Sequence, residues 1–417
     1  MKTIHITKNL NTYYEAKGGN TTYILDKGVS IASPETIGIV ALTDVEGRNF
    51  VIRGEVFSAL GAGIHVGGNG HVGAGILEIE KSGKVSGKTG VNIAADGEIV
   101  RNAGVIGGDI GVDLSGDAFR LANTGQVNGT TTGIDVFFSG GAIRNDGFIG
   151  GKNAISTLIG TGDSLKIVNT GTIDGGEYGI SLSNLDGSRS VIVNHGTITG
   201  DFWAIQANFT SSVDIIRNRG EISTQSWLGN GDDIYDGRGG HAAYVDGGKD
   251  NDLYIIDDPL ILLNEQTNSG IDTVRSSVTW TLGANFENLV LTGKDSITGK
   301  GSDQANRITG NDGHNTLYGF GASDIIDGGK GNDTLYGGAA ADTFVFINAG
   351  GQDLIADFQD SLDIIDITAI KGINDFAQIL ESMTQVGADV VIDFGARGSI
   401  EIDKITIDKL TAIDFAY

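Results

Sequence analysis

Asp324, Asp333 and Asp342 recur at nine-residue intervals, and each stands two residues before a large apolar side chain: Ile326, Leu335 and Phe344. The same register continues upstream with Asn306 before Ile308 and Asn315 before Leu317. The units read GSDQANRIT from 301, GNDGHNTLY from 310, GFGASDIID from 319, GGKGNDTLY from 328 and GGAAADTFV from 337. Carboxylates, amides and main-chain carbonyls form an oxygen-only ligand set, and that suits Ca2+, which takes six to eight oxygens at about 2.3–2.6 Å. Two nonapeptides make one 18-residue coil with a strand and a turn on each side, so Asp324 is expected to face Asp342 and Asn315 to face Asp333. Each ion is expected between stacked turns, held by two such side chains and by turn carbonyls. The candidate turn residues are Gly319, Gly321, Gly328, Gly329, Lys330, Gly331, Asn332, Gly337, Ala339 and Ala341. Glycine there permits the positive φ that turns carbonyls inward. Gly351 lies 18 residues after Asp333, so Asp333 is expected to be the sole sixth-position carboxylate on its edge.

A second block lies earlier, where LGNGDDIYD (228–236) and GGKDNDLYI (247–255) bracket a degraded GRGGHAAYV (237–245). Its candidate ligands are Gly229, Gly231, Asp232, Asp233, Gly247, Lys249, Asn251 and Asp252. Asp233 and Asp252 are 19 residues apart rather than 18, and Ala242 occupies the middle acidic position, so one site is expected here, or two.

Other chemistries are excluded or weak. The six histidines (His5, His65, His71, His195, His241, His314) never form H-E-x-x-H, which rules out a zinc protease of that type. There is no cysteine for a thiolate site, a disulfide or a nucleophile. The string GDSL at 162–165 falls between repeats rather than in a strand-to-helix turn, so it does not mark a serine hydrolase. The net charge of −25 is uneven: residues 1–228 carry 22 acidic and 17 basic side chains, and residues 229–417 carry 31 and 11. That surplus disfavours nucleic acid or anionic membrane as a partner and calls for a cation. The start, MKTIHITKNLNTYYEAKGG, has no apolar run typical of a cleavable signal, and no stretch is long and apolar enough for a transmembrane helix.

The elements that must position these residues follow from a second repeat, N-x-G-x-[I/V]. It reads NAGVI (102–106), NTGQV (123–127), NDGFI (145–149), NTGTI (169–173), NHGTI (194–198) and NRGEI (218–222), with a weaker KSGKV at 81–85. Short β-rich runs with a period of about 21–25 residues fit coils of a parallel β-helix, and no 3.6-residue period survives so many glycines. The fold class expected is therefore all-β: a parallel β-helix over 1–226, followed by a calcium-binding β-roll over 227–417. The motif asparagine is expected to form a ladder from coil to coil and to suit left-handed corners. Residues 20–60 are expected to start or cap the stack, and 61–75 to protrude as a loop. If they fall on one face, Asp109, Asp113, Asp135, Glu177, Tyr178, His195, Asp201 and Trp203 are candidates for carbohydrate chemistry. Tyr178 and Trp203 are also candidates for stacking on a sugar.

Residues 228–417 resemble the RTX (repeats-in-toxin) family of secreted calcium-binding proteins. DDPLILLNEQTNSGIDTVRSSVTWTLGANFENLVLTG (257–293) is similar to the spacer between two RTX blocks. ADTFVFINAGGQDLIADFQDSLDIIDITAI (341–370) is similar to the end of the roll, where Asp353, Asp357 and Asp363 are further candidates. The terminal segment with FAQILESMTQVGADVVIDFG is similar to an uncleaved type I secretion signal. The resemblance implies several bound Ca2+ ions, export through a type I apparatus to the medium or cell surface, and folding driven by calcium outside the cell. Asn306 and Asn315 in place of Asp imply weaker sites, and GGAAADTF, without its fourth-position glycine, implies a distorted turn. The function expected is non-catalytic attachment to a matrix, a cell surface or an extracellular polysaccharide. A polysaccharide lyase or uronate epimerase is the alternative, although the Tyr-Gly-Phe-Asp-Pro-His motif of mannuronan epimerases is absent. A self-assembling structural protein is a third reading.

Overall fold

The computed structural model describes residues 2–34, 36–41, 47–67, 75–207, 210–348 and 350–417. Strands make up 53% of the chain and helix 4%, which excludes any α/β arrangement. The chain divides into two compact units, Met1–Gly248 and Lys249–Tyr417, so the division falls inside the first glycine- and aspartate-rich block rather than ahead of it.

The first unit is a parallel β-solenoid. One sheet stacks Lys2–Ile6, Thr21–Leu25, Asn49–Ile52, Ile76–Ile79 and Ile99–Asn102, then Phe119–Asn123, Gly141–Asn145, Ser164–Asn169, Arg189–Asn194 and Val213–Asn218. Every neighbouring pair is parallel. A second sheet carries the long strands Val105–Leu114, Gln126–Phe137, Phe148–Leu158 and Thr172–Leu182. The coils begin at Lys2, so residues 20–60 are part of the stack and do not merely cap it. Ala62–Gly67, expected in a loop, is a strand that pairs with Ile39–Ala41 and Thr89–Ala94. Its alternation buries Ile64 and Val66, a strand pattern that the surrounding glycines masked. The rest of that expected loop, 68–74 with His71, lies outside the described residues.

The motif asparagines form the expected ladder. The amide of Asn102 donates to Oδ1 of Asn123 at 2.8 Å, and the series continues through Asn145, Asn169, Asn194 and Asn218 at 2.8–2.9 Å. All six are buried, and a buried amide is tolerated only because both of its ends are bonded in this way. None of them is in the left-handed region, contrary to expectation, because the ladder and not the corner selects asparagine. The motif glycine answers to close approach. A Cβ on Gly125, Gly147, Gly171, Gly196 or Gly220 would run into the carbonyl oxygen of the equivalent glycine one coil earlier. The fifth position, Ile106, Val127, Ile149, Ile173, Ile198 and Ile222, is fully buried and stacks in register. Each such side chain contributes about 1.5–3 kcal/mol of apolar burial.

In the second unit Leu253–Ile256, Thr273–Ser276, Asn288–Leu291, Arg307–Thr309, Ile325–Asp327, Thr343–Val345 and Ile364–Asp366 form one parallel sheet. Facing strands include Thr298–Lys300, Thr316–Phe320, Thr334–Gly338 and Gln352–Ile355. The eighth-position residues Ile308, Leu317, Ile326, Leu335 and Phe344 are fully buried. Residues 257–293, expected as a spacer, supply coils of the same stack. At the end of the facing sheet Met383–Val386 and Asp389–Asp393 form an antiparallel hairpin on Ser399–Ile402, which itself pairs in parallel with Gln352–Ile355, while Phe415–Ala416 pairs in parallel with Ile364–Asp366. The helix Phe376–Glu381 is capped by Asp375, whose carboxylate accepts the Gln378 N–H at 2.9 Å.

Candidate calcium sites

Each sixth-position carboxylate reaches back to the turn one coil earlier. Oδ1 of Asp324 accepts the backbone N–H of Asn306 at 2.7 Å, Asp342 that of Asp324 at 2.8 Å, and Asp363 that of Asp342 at 2.9 Å. On the opposite edge Asp333 accepts from Asn315 at 2.7 Å, and Asp353 accepts from Asp333 at 2.9 Å. Asp324 and Asp342 thus share an edge, as do Asn315 and Asp333. Asp333 is not alone, however: its partner is Asp353, because Thr334 pairs with Leu354 and two extra residues hide the repeat.

The second oxygen of Asp324, Asp333 and Asp342 is buried and has no hydrogen-bond partner. The three residues are 1–2% exposed. Burial raises the carboxyl of Asp324 to about 7, that of Asp333 to about 7 and that of Asp342 to about 6, against the lowering effect of the bonded amides. Neighbouring carboxylates add to the rise: Asp342 acts on Asp324, Asp353 and Asp327 on Asp333, and Asp363 and Asp357 on Asp342. An orphaned carboxylate oxygen among acidic neighbours is what a bound divalent cation would satisfy. Room is reserved for it, since a Cβ on Gly319, Gly328 or Gly337 would run into Oδ2 of Asp324, Asp333 or Asp342.

The three turns share a backbone signature that their sequences do not. The second and fourth positions have positive φ in each: Phe320 (82°) and Ala322 (63°), Gly329 (84°) and Gly331 (119°), Gly338 (101°) and Ala340 (84°). GGAAADTF therefore keeps the turn geometry and places an alanine where glycine is favoured, instead of distorting. Gly321, Ala339 and Ala341 occupy positions between or beside these, and the Ala339 N–H donates to the Phe320 carbonyl at 2.8 Å. Lys330 Nζ lies 3.1 Å from Asp312 on the surface. Asn332 Oδ1 accepts the Gln352 N–H at 3.0 Å.

Turns ending in asparagine are built differently. Oδ1 of Asn306 accepts the Ser302 N–H, and Oδ1 of Asn315 that of Asn311, both at 2.7 Å. Their amide groups donate to the carbonyls of Phe286 at 2.8 Å and Ile297 at 3.3 Å. No residue at the second or fourth position of either turn has positive φ. Asp363 closes its turn likewise, with Oδ2 accepting the Gln359 N–H at 2.8 Å.

In the earlier block Gly229 (101°) and Gly231 (122°) carry the same signature, as do Gly248 (108°) and Asp250 (74°). Asp233 Oδ1 accepts the N–H of Asp214 at 2.7 Å. The Asp252 N–H donates to Oδ1 of Asp272 at 2.8 Å, and Asn251 Oδ1 accepts the Ile271 N–H at 2.8 Å. Asp232 and Lys249 are exposed, and Gly247 is buried. Asp214 and Asp272 escaped the sequence reading because their turns lack the glycine pattern. Burial pushes each of the two up to about 6.

On the solenoid, Tyr178 and Trp203 are register partners and both are half-buried. The Tyr178 ring lies 6.5 Å from that of Phe202, and the Trp203 ring 6.5 Å from that of Trp227. Asp113 and Asp135 are also register partners. Asn92 donates to Asp113 Oδ2 at 2.8 Å, and His65 Nδ1 lies 2.7 Å from Asn92 Oδ1. Burial and the charge of Asp135 raise the Asp113 carboxyl, and burial raises that of Asp135. The remaining candidates do not join this pair. Glu177 is salt-bridged to Lys152 at 3.1 Å, Asp109 accepts from Thr130 at 3.0 Å, and His195 and Asp201 are exposed.

Residues 292–319, 300–335 and 318–346 match the family described as RTX calcium-binding nonapeptide repeat (4 copies). The chain is 36% identical over 169 residues to "Endo-1,3-1,4-beta-glycanase ExsH" of Rhizobium meliloti (strain 1021), covering 40% of this chain and 34% of that protein. It is 32% identical over 205 residues to "Endo-1,3-1,4-beta-glycanase EglC" of the same organism, covering 46% and 42%. It thus spans between a third and a half of the length of these curated relatives. The crystal structure of extracellular lipase LipA from Serratia marcescens aligns over 56% of this chain and 45% of that one, at 15% identity and a TM-score of 0.24, which supports no argument. The nonapeptide match, together with the orphaned carboxylates at the same positions, shows that this β-solenoid chain carries RTX calcium-binding repeats within residues 292–346.

Proposed function

We propose that the chain is an extracellular protein whose C-terminal unit folds on Ca2+ and whose solenoid engages polysaccharide without cleaving it. The observation that supports this most directly is the buried, partnerless Oδ2 of Asp324, Asp333 and Asp342. Asp324 with Asp342, and Asp333 with Asp353 and the Asn315 turn, would hold ions, together with carbonyls of the turns at 319–323, 328–332 and 337–341. Asp233, whose carboxylate accepts the Asp214 N–H, would serve the earlier block. Asn306 and Asn315, whose amide oxygens are already bonded, would contribute carbonyls or close the end of the roll. Export by a type I apparatus is the route that suits a roll held open by stacked acids until it meets calcium. The glycanase names of two relatives and the aligned Tyr178 and Trp203 support a carbohydrate ligand.

The test is titration of the full chain, stripped with chelator, with Ca2+ and separately with Mg2+, followed by circular dichroism and calorimetry. Strand signal beyond that of the first unit should appear with calcium only, because magnesium demands octahedral geometry and dehydrates reluctantly. Asp333→Ala, which leaves only Asp353 on its edge, should weaken calcium binding more than Asp342→Ala, which leaves Asp324 and Asp363. An unchanged spectrum in chelator would sink the calcium half of the reading.

The adjoining carboxyls of Asp113 and Asp135, both raised, favour a second reading as a carbohydrate-active enzyme. Mixed-linkage 1,3-1,4-β-glucan and alginate should be retained on the calcium-loaded protein and stay uncleaved. Shortened products that disappear with Asp113→Asn would establish the second reading instead.

A further inference from the structure

Asp252, Glu265 and Asp272 each direct one carboxylate oxygen into a common space, and the three oxygens lie within 4.8 Å of one another. All three residues are 1–3% exposed. Glu265 lies outside the nonapeptide register, in the stretch that resembles a spacer. The acids are held in place: Oε1 of Glu265 accepts from the hydroxyl of Tyr254, and its main-chain carbonyl accepts the Asn285 amide at 3.0 Å. Asp272 is fixed through both ends, with its N–H on Glu287 Oε2 at 2.8 Å and its Oδ1 on the Asp252 N–H at 2.8 Å. Its Oδ2 is buried and has no hydrogen-bond partner. The turn before it repeats the backbone of the nonapeptide sites, with positive φ at Asn268 (56°) and Gly270 (158°).

We infer that Asp252, Glu265 and Asp272 form a further Ca2+ site, in which the glutamate ties the non-repeat segment to the stacked coils. An oxygen-only set of three carboxylates selects a hard cation, with no nitrogen or sulfur to attract zinc. Ca2+ accommodates the irregular arrangement of three carboxylates from separate turns, whereas Mg2+ demands near-ideal octahedral geometry and keeps several waters. Like charges buried so close together repel unless a cation lies between them. The inference rests on the calcium reading at Asp252, which belongs to the earlier block, and extends it to Glu265 and Asp272, which lie outside the matched repeats. A second acidic group, Asp389, Glu401 and Asp403, is partly exposed and has no such orphaned oxygen.

The test uses the full chain, with bound calcium counted by elemental analysis after gel filtration and affinities read by calorimetry. Asp272→Asn should lower the count by one ion, and Glu265→Gln, which keeps the shape, should weaken one site at least tenfold. Asp333→Asn should affect a different ion, so that the double variant with Glu265→Gln shows both losses. Terbium loaded in place of calcium should lose part of its tyrosine-sensitised emission in Tyr254→Phe with the ion count unchanged, a readout that needs no loss of ligand. If Glu265→Gln and Asp272→Asn, both folded by circular dichroism, bind as many ions as tightly as the parent, the inference is wrong. If they do so while Asp333→Asn loses its ion, the nonapeptide reading survives.

Discussion

Ala340 sits at φ 84° and Ala322 at φ 63°, where a side chain with a Cβ costs about 1–2 kcal/mol. Their turns adopt that backbone nonetheless, because the stacked coils on either side and the carboxylate at position six dictate it. Relieving the strain should therefore stabilise the roll. Ala340→Gly is expected to raise the stability of the calcium-loaded C-terminal unit by about 1 kcal/mol, offset in part by the freer unfolded chain. Denaturant unfolding in calcium would measure this, and no change or a loss would mean that the turn is not held as described. At this scale the sequence was legible where period and chemistry coincide, so Asp324, Asp333 and Asp342 could be picked out by their nine-residue beat. Asp353 as the partner of Asp333 was not, since the strand after Asp333 pairs 20 residues on, with two residues more than the repeat. Glu265 was beyond reach, because nothing in the text of a spacer says that its side chain folds back among the repeats.

The asparagine ladder is an element in its own right: every inner rung, from Asn123 to Asn194, is donor to one neighbour and acceptor from the other. Asn169→Ala would leave the Asn145 amide and the Asn194 carbonyl oxygen buried and short of a partner, each worth about 1–3 kcal/mol. A loss of about 3 kcal/mol is expected by chemical denaturation, insensitive to chelator; a surface substitution such as Asp201→Asn should lose almost nothing. The roll behaves in the opposite way toward ions and protons. Without calcium, the carboxyls of Asp324, Asp333 and Asp342 titrate at about 6–7 in the folded chain and near 3.9 when unfolded. The fold therefore holds their protons more tightly, and the stability this confers is present below about pH 4 and lost as pH rises through 6–7. In chelator, the C-terminal unit should regain at pH 5 strand signal that it lacks at pH 8. With saturating calcium the order should reverse, because the ion needs the ionised form. A strand signal that ignores pH in chelator would contradict the burial seen at these three side chains. The period-of-21–25 motif made the ladder legible, whereas the coils before Lys84 were obscured because only one weak copy of the motif, KSGKV, precedes Asn102.

At the level of the whole molecule, the two units draw their cohesion from different sources. The first is knit by apolar stacks and amide rungs, and the second by stacked acids that ask for a counter-ion. The full chain in calcium should show a transition that chelator removes and another that chelator leaves in place, followed by strand signal on heating. A single transition abolished by chelator would mean that the units unfold together. The division after Gly248 was not legible, because the first acidic block resembles the second in composition and none of its residues marks a boundary.

The antiparallel hairpin of Met383–Val386 and Asp389–Asp393 has a consequence for crowding. A run of identical parallel coils ends in an open template, and an open template recruits the next chain as readily as it accepted its own last coil. Here the facing sheet ends in a short hairpin strand rather than a full coil, and Thr384, Gln385 and Val386 along it are exposed, with only Met383 buried. The hairpin is a terminator of growth. Deleting 383–393 should leave the Ser399–Ile402 edge uncovered, and light scattering in calcium should then report end-to-end oligomers that the intact chain, at the same concentration, does not form.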